Sequence, residues 1–229
     1  MSETRNSLAH IKQLLENKST AKQVTYKNLI SAFGTLAEES EHVVEELRNQ
    51  IKLSDEDVIV DFQQVNEHEF QVKLAGDLLV FVLHTNIVTF EESHPAMQLP
   101  YCKENDINRY FGQIMIYNFM SDSIRYHRVN DPGYLLARIL LNHENRFLVE
   151  GEGVLGQIYN TISAGALQPG DLKVLVENAL TIAIENDLMA PPFPKVRFIT
   201  LHQKMEKTLE LGAGQKIGFR MKYEDNNEG

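Results

Sequence analysis

Residues Gly151-Glu152-Gly153-Val154-Leu155-Gly156 carry the spacing G-x-G-x-x-G, between a predicted strand at 146–150 and a predicted helix near 153–164. In that setting glycines let the backbone approach a pyrophosphate at a helix N-terminus, as dinucleotide-binding proteins do. Three features oppose the reading. Glu150 and Glu152 set two negative charges beside the proposed phosphates. The following helix is short and leads through ALQPG into another helix, so no second strand completes the unit. The acidic residue expected about 20 positions on would be Asp171 or Glu177, both within that next helix. The simpler expectation is a glycine-rich strand-to-helix corner, with a cofactor site at Gly151, Gly153 and Gly156 kept as the alternative.

A second pattern is that of a metal-dependent nuclease. Asp61 closes one predicted strand, and Gln71-Val72-Lys73 lies on the next. A carboxylate with a polar residue two before a lysine can hold Mg²⁺ and activate water. Gln71 is a weak ligand, however, and Glu69, Gln71 and Lys73 also make the plain solvent face of an alternating strand. The eight histidines show none of the H-x-H, H-E-x-x-H or H-x-x-x-H spacings that hold a metal, and the single cysteine, Cys102, cannot build a zinc knuckle. No nucleophile elbow is present, because Thr161 stands where its first glycine would be. No metal or cofactor is predicted, and the chain reads as more binding protein than enzyme.

One cluster points to binding. A strand over 123–129 would set Arg125 and His127 on one face, with Arg138 and Arg146 on neighbouring strands. In register, these four would form a basic patch able to hold an anionic ligand or an acidic partner helix, such as residues 38–46 of a second copy. The plainer alternative pairs these charges within the sheet.

The elements that must position these groups follow from periodicity. Leu8, Ile11, Leu14 and Leu15 give a first helix at 7–17 an apolar face. Leu29, Phe33, Leu36, Ser40, Val43, Leu47 and Gln50 step by four and three, a heptad seam with two polar interruptions on a long helix over 23–52. That seam predicts a helix laid on its own sheet or, alternatively, a dimerisation helix. From residue 57 the period is two. Strands are expected at 58–63, 69–74, 78–83, 86–91, 111–119, 123–129, 134–141 and 146–150, joined too tightly for crossover helices and therefore antiparallel. Residues 92–108 read as a loop. An apolar helix at 171–188 precedes strands at 195–201 and 216–223.

The fold class is thus α+β: an antiparallel meander flanked by N-terminal helices, one long, and C-terminal helices. The expected divisions are a helical segment 1–55 packing on the body, an α+β body 56–223 and a disordered tail 224–229, most simply one domain. With 22 basic and 32 acidic residues the net charge is −10, which opposes broad nucleic-acid binding. Residues 195–223 run against this with seven bases and two acids. The longest apolar run, Leu78–Leu83, is six residues, where a membrane span needs about 20. The expectation is a soluble, cytoplasmic, non-enzymatic binding or assembly protein, a homodimer or a partner of another protein. The alternative is an enzyme acting on a nucleotide or nucleic acid through the 151–156 corner or the Asp61/Lys73 pair.

Overall fold

A computed structural model describes residues 7–51, 58–189, 197 and 215–216. The chain begins as a continuous helix: α1 (Ser7–Leu14), a π turn (Leu15–Ser19) and α2 (Thr20–Gln50). Six strands follow, β1 (Val60–Asn66), β2 (Glu69–Leu74), β3 (Asp77–Val88), β4 (Phe111–Met120), β5 (Tyr134–Leu141) and β6 (Phe147–Gly151). They form one sheet in sequence order, and every neighbouring pair is antiparallel. Between them lie α3 (Pro95–Gln98), α4 (Pro100–Glu104), a 3₁₀ turn (Asp106–Arg109) and α5 (Ser121–Arg125). A single turn α6 (Leu155–Ile158), α7 (Pro169–Glu185) and the short pair β7 (Leu188–Met189) and β8 (Gln215–Lys216) follow. This is the α+β meander that the alternation predicts.

The heptad seam lies on the sheet. Leu29, Phe33, Leu36 and Val43 are buried against the alternate-residue face of Phe70, Val72, Leu79, Phe81, Ile114 and Ile116. Phe70 is the hub, stacked on Phe81 at 4.4 Å and tilted to Phe33 at 5.2 Å between ring centres. Each such side chain withdrawn from water contributes about 1.5–3 kcal/mol. Of the seam's two polar positions, Gln50 is exposed and Ser40 Oγ donates to the Leu36 carbonyl (2.7 Å), while Thr25, buried one step before the seam, donates through Oγ1 to the Ala21 carbonyl (2.9 Å). The helix crosses β4 where side-chain bulk is absent, since a Cβ at Gly112 would stand 2.8 Å from Leu29 Cδ2. α7 packs beside α2 through Leu172, Leu175, Val176, Ala179 and Ala183, and Lys173 reaches Glu46 at 3.0 Å. The dimerisation reading of the seam is therefore corrected: its apolar face is used up inside the chain.

Other expectations also change. The strands at 78–83 and 86–91 are one strand, β3, interrupted by an irregularity between His84 and Val88. No strand forms at 123–129, which begins in α5 and continues through turns. The 92–108 stretch is largely helical turns that cover the outer sheet face, burying Met97, Cys102 and Phe111 with Leu140 and Leu148. The helix near 153–164 shrinks to α6. Apart from Arg197, the strand at 195–201 lies outside the described residues, as do the tail and the strand at 216–223 beyond Lys216. Among the described residues, no helix is long and apolar enough to cross a membrane.

Candidate interaction surfaces

The sheet has two ends, fixed by register. Val60, Leu74, Asp77 and Met120 are successive partners across β1 to β4, and the Arg48 Nε donates to the Val60 carbonyl at 2.7 Å. The C-terminal half of α2 and the β4–β5 connection therefore share one end. At the other, Asn28 Nδ2 donates to the carbonyls of Asn142 (3.3 Å) and His143 (2.9 Å) in the β5–β6 turn. Lys22 and Lys18 lie 4.9 and 5.5 Å from the ring centre of Tyr110, just before β4. At that end His10, Gln13 and Leu14 of α1 face Asn105, Asp106 and Tyr110 across a cavity of about 530 Å³.

The first surface is α1. Neither α1 nor the π turn contains a buried residue, and Leu8, Ile11, Leu14 and Leu15 are all exposed, Leu8 by 73%. The π turn explains their direction. In an uninterrupted α-helix, Ile11, Leu14 and Lys18 would continue the stripe of Ala21, Thr25 and Leu29. Here the Thr20 amide bonds the Leu15 carbonyl, five residues back, and Thr20 Oγ1 adds a bond to the same oxygen (3.1 Å). An i→i+5 bond admits one extra residue, which rotates the helix face by about 100°. The α1 stripe is thus thrown out of phase with the core stripe.

The second surface is the β4–β5 connection at the opposite end. It is closed by its own hydrogen bonds: Tyr126 N to Asp122 O (2.9 Å), Arg128 N to Ser123 O (2.8 Å) and Asp131 N to Arg128 O (3.0 Å). The Asp131 carboxylate, with its side chain 5% exposed, accepts from Ser123 Oγ (2.6 Å) and lies 3.9 Å from Arg128 Nη1. This frame presents Tyr126 between two guanidinium groups, Arg125 at 5.4 Å and Arg128 at 5.5 Å from the ring centre. Ile124 and Val129 project into solvent beside it, Val129 by 89%. A cleft of about 220 Å³ opens between this knob and Phe119.

The four residues of the predicted basic patch are thereby separated. Arg125 ends α5, and His127 sits in the knob with φ +53°. Arg138 lies along β5, and Arg146 is in the β5–β6 turn at the far end. An eight-residue strand, about 26 Å, stands between the knob and that turn. Arg138 pairs instead with Glu150 directly opposite on β6, and its guanidinium lies 4.9 Å from the Phe90 ring centre. Glu150 also takes His94 Nε2 at 2.9 Å, while His94 Nδ1 accepts from the Ala96 amide at 3.3 Å. Both imidazole nitrogens are thus engaged, one as the cap of α3. The cluster clamps the 90–98 stretch to the sheet and leaves no nitrogen to serve as a base toward a substrate.

Arg146 lies over Tyr101 at 4.7 Å and pairs with Glu144 at 3.1 Å. Tyr101 donates to Glu144 (2.7 Å) and accepts from Asn142 Nδ2 (2.7 Å). Burial, followed by the bond to Glu144, holds this phenol well above its ordinary range. Burial also raises the Cys102 thiol, against a smaller opposing pull from Arg109.

The glycine corner is explained by its own backbone. A Cβ on Gly156 would stand 2.1 Å from the Gly151 carbonyl oxygen, and Gly153 has φ +52°. β6 runs antiparallel to β5, and α6 is one turn of four residues, so the strand–helix–strand unit of a dinucleotide site is not formed here. Asp61 and Lys73 are register partners, but Asp61 is held by Arg48 from α2. Among the described residues no group of three or more His, Cys, Asp or Glu side chains converges on a possible metal position.

The knob's tyrosine–arginine stack and the α1 phase break were both missed by sequence reasoning. The strand pattern drawn through 123–129 hid the first. The second had one visible signal, the in-phase stripe through Ile11, Leu14 and Lys18. No family model, no curated protein and no solved structure matches this chain.

Proposed function

We propose that this chain is a non-enzymatic binding or assembly protein that self-associates, with the outer stripe of α1 as its contact. The observation that carries the reading is a helix that buries nothing yet exposes four large apolar side chains, turned from the core stripe by a π turn. Leu8, Ile11 and Leu15 step by three and four, the spacing of a coiled-coil seam. The stripe is self-complementary about a two-fold axis: an antiparallel pair sets Leu8 of each copy against Leu15 of the other, with Ile11 near the axis.

Sedimentation equilibrium tests this. The protein is expected to form a concentration-dependent oligomer. Ile11→Glu is expected to weaken it about tenfold or more, since a charge would be buried in the seam. The same change should leave the melting midpoint of the dissociated chain almost unaltered, because Ile11 is half exposed and belongs to no core cluster among the described residues. A monomer at every concentration refutes the reading.

A further inference from the structure

The two edges of the sheet are finished differently. β6 is covered by its own chain, since Val149 N bonds the Tyr159 carbonyl and Ser163 N the Phe147 carbonyl, each at 2.8 Å. β1 is left open. The Ile59 carbonyl accepts from Ala75 N (2.8 Å), so Ile59, Asp61 and Gln63 bond toward β2, and Val60, Phe62 and Gln64 turn their amides and carbonyls outward. Among the described residues, Arg48 alone reaches these outward groups, at the Val60 carbonyl. Proteins ordinarily guard such an edge with lysine or proline. Residues 58–66, VIVDFQQVN, contain neither, and their one charge, Asp61, is paired with Arg48. Val58, Ile59 and Val65 are all exposed along this edge.

We propose that β1 pairs antiparallel with β1 of a second copy, Phe62 against Phe62, joining two six-stranded sheets into one, as a contact separate from α1. The strand is complementary to itself in this register. Asp61 faces Gln63 of the second copy on both sides of the axis, Ile59 faces Val65, and Val60 faces Gln64, so each charge meets an amide and the exposed apolar residues meet each other. Moving the axis by one residue sets Asp61 against Asp61, or against Val65. The chosen register also continues an aromatic row. Phe81, Phe70 and Phe62 run across β3, β2 and β1 with ring centres 4.4 and 5.6 Å apart, and Phe62 of the second copy is the next ring. Phe62 itself is only partly buried at the rim of the core. Because β6 is covered, edge pairing stops at two copies. With α1 each chain carries two self-complementary contacts, and their combination builds rings or chains larger than a dimer. The inference adds to the α1 reading and is tested apart from it.

The experiment uses the full chain carrying Ile11→Glu, which removes the α1 contact, and measures its dimerisation by sedimentation equilibrium with Gln63→Lys or Gln63→Asp added. The Gln63 side chain is exposed, so either change leaves the strand's own backbone bonds in place. Ile11→Glu is expected to remain a dimer. Gln63→Lys meets Asp61 twice in each dimer and should tighten it about twofold to thirtyfold, and Gln63→Asp should loosen it by a like factor. Amide hydrogen exchange at Phe62 and Gln64 should slow as the protein is concentrated. An Ile11→Glu protein that stays monomeric, with these amides exchanging freely, overturns the edge contact and leaves α1 standing. The same monomer with both amides protected overturns the second copy as occupant, since the chain itself then fills the edge. A dimer that Gln63→Lys loosens, or that neither Gln63 change moves, overturns the pairing. A wild-type dimer that Ile11→Glu leaves unchanged and Gln63→Asp dissociates overturns the α1 reading and keeps the edge.

Discussion

Replacing Gly156 by Ala puts one methyl group where the chain has no room. The new Cβ would lie 2.1 Å from the carbonyl oxygen of Gly151 and 3.1 Å from its carbonyl carbon. Neither atom can swing aside as a side chain would. Gly151 is paired with Ala137 at the end of β6, and the next amide, Glu152 N, is bonded to the Leu136 carbonyl at 2.9 Å. Relief therefore requires moving the corner off the edge of the sheet, which also disturbs Leu155, fully buried in the core. Forcing a methyl into a filled site costs about 1–3 kcal/mol. In a chain of this size each kcal/mol corresponds to about 2–4 °C in the melting midpoint, so a fall of roughly 2–12 °C is expected. Thermal denaturation followed by circular dichroism checks it, with Gly34→Ala as the control. Gly34 lies inside α2 with nothing within 4 Å of its added Cβ, so helix propensity alone should raise stability by about 1 kcal/mol. Equal midpoints for Gly156→Ala and wild type would refute the corner as drawn and return these glycines to a ligand-binding explanation.

Two further outcomes follow from the interior. Leu36→Ala, at a fully buried seam position, should cost about 2–5 kcal/mol, and the loss should not depend on protein concentration in equilibrium urea denaturation. A loss that grows on dilution would mean that the seam serves an intermolecular contact after all. The folded chain holds the Tyr101 proton more tightly than the unfolded chain, in which tyrosine titrates near about 10. Its contribution to stability is thus complete below about pH 10 and is lost as the pH climbs beyond that value. Absorbance at 295 nm should show Tyr101 and Tyr159 ionising after the other tyrosines, and Tyr101→Phe should flatten the alkaline loss of stability. All tyrosines titrating together would refute it.

The sheet was legible because its signal is local. Phe70, Val72 and Leu74 alternate with Glu69, Gln71 and Lys73, and short reversals at Asn66–Glu67 and Ala75–Gly76 leave only an antiparallel neighbour. Spacing does not show which charged groups from separate segments meet. Spacing groups Arg138 with Arg125, His127 and Arg146 because it does not reveal Glu150, which stands opposite Arg138 on β6 and neutralises it. Residues 123–129 alternate like a strand, but the Asp131 carboxylate gathers Ser123 and Arg128 into a closed loop, and those local side-chain bonds override the alternation. The helix near 153–164 shrinks because Ser163 N is bonded to the Phe147 carbonyl at 2.8 Å and pulls the chain back along β6.

The long helix shows why spacing by itself could not decide between a fold and a dimer. A heptad stripe specifies that one face must be dry, and it is indifferent to what dries it. Polar residues at Thr25 and Ser40 would ordinarily argue for a partner able to answer them. Both hydroxyls instead donate to carbonyls four residues back in their own helix, so burial against an apolar sheet leaves neither unsatisfied. The α1 end is the opposite case. Its leucines share the phase of the core stripe in sequence, and only the extra residue admitted at Leu15–Ser19 turns them outward. One inserted residue thus divides a single amphipathic pattern into an inner half that completes the fold and an outer half turned to solvent.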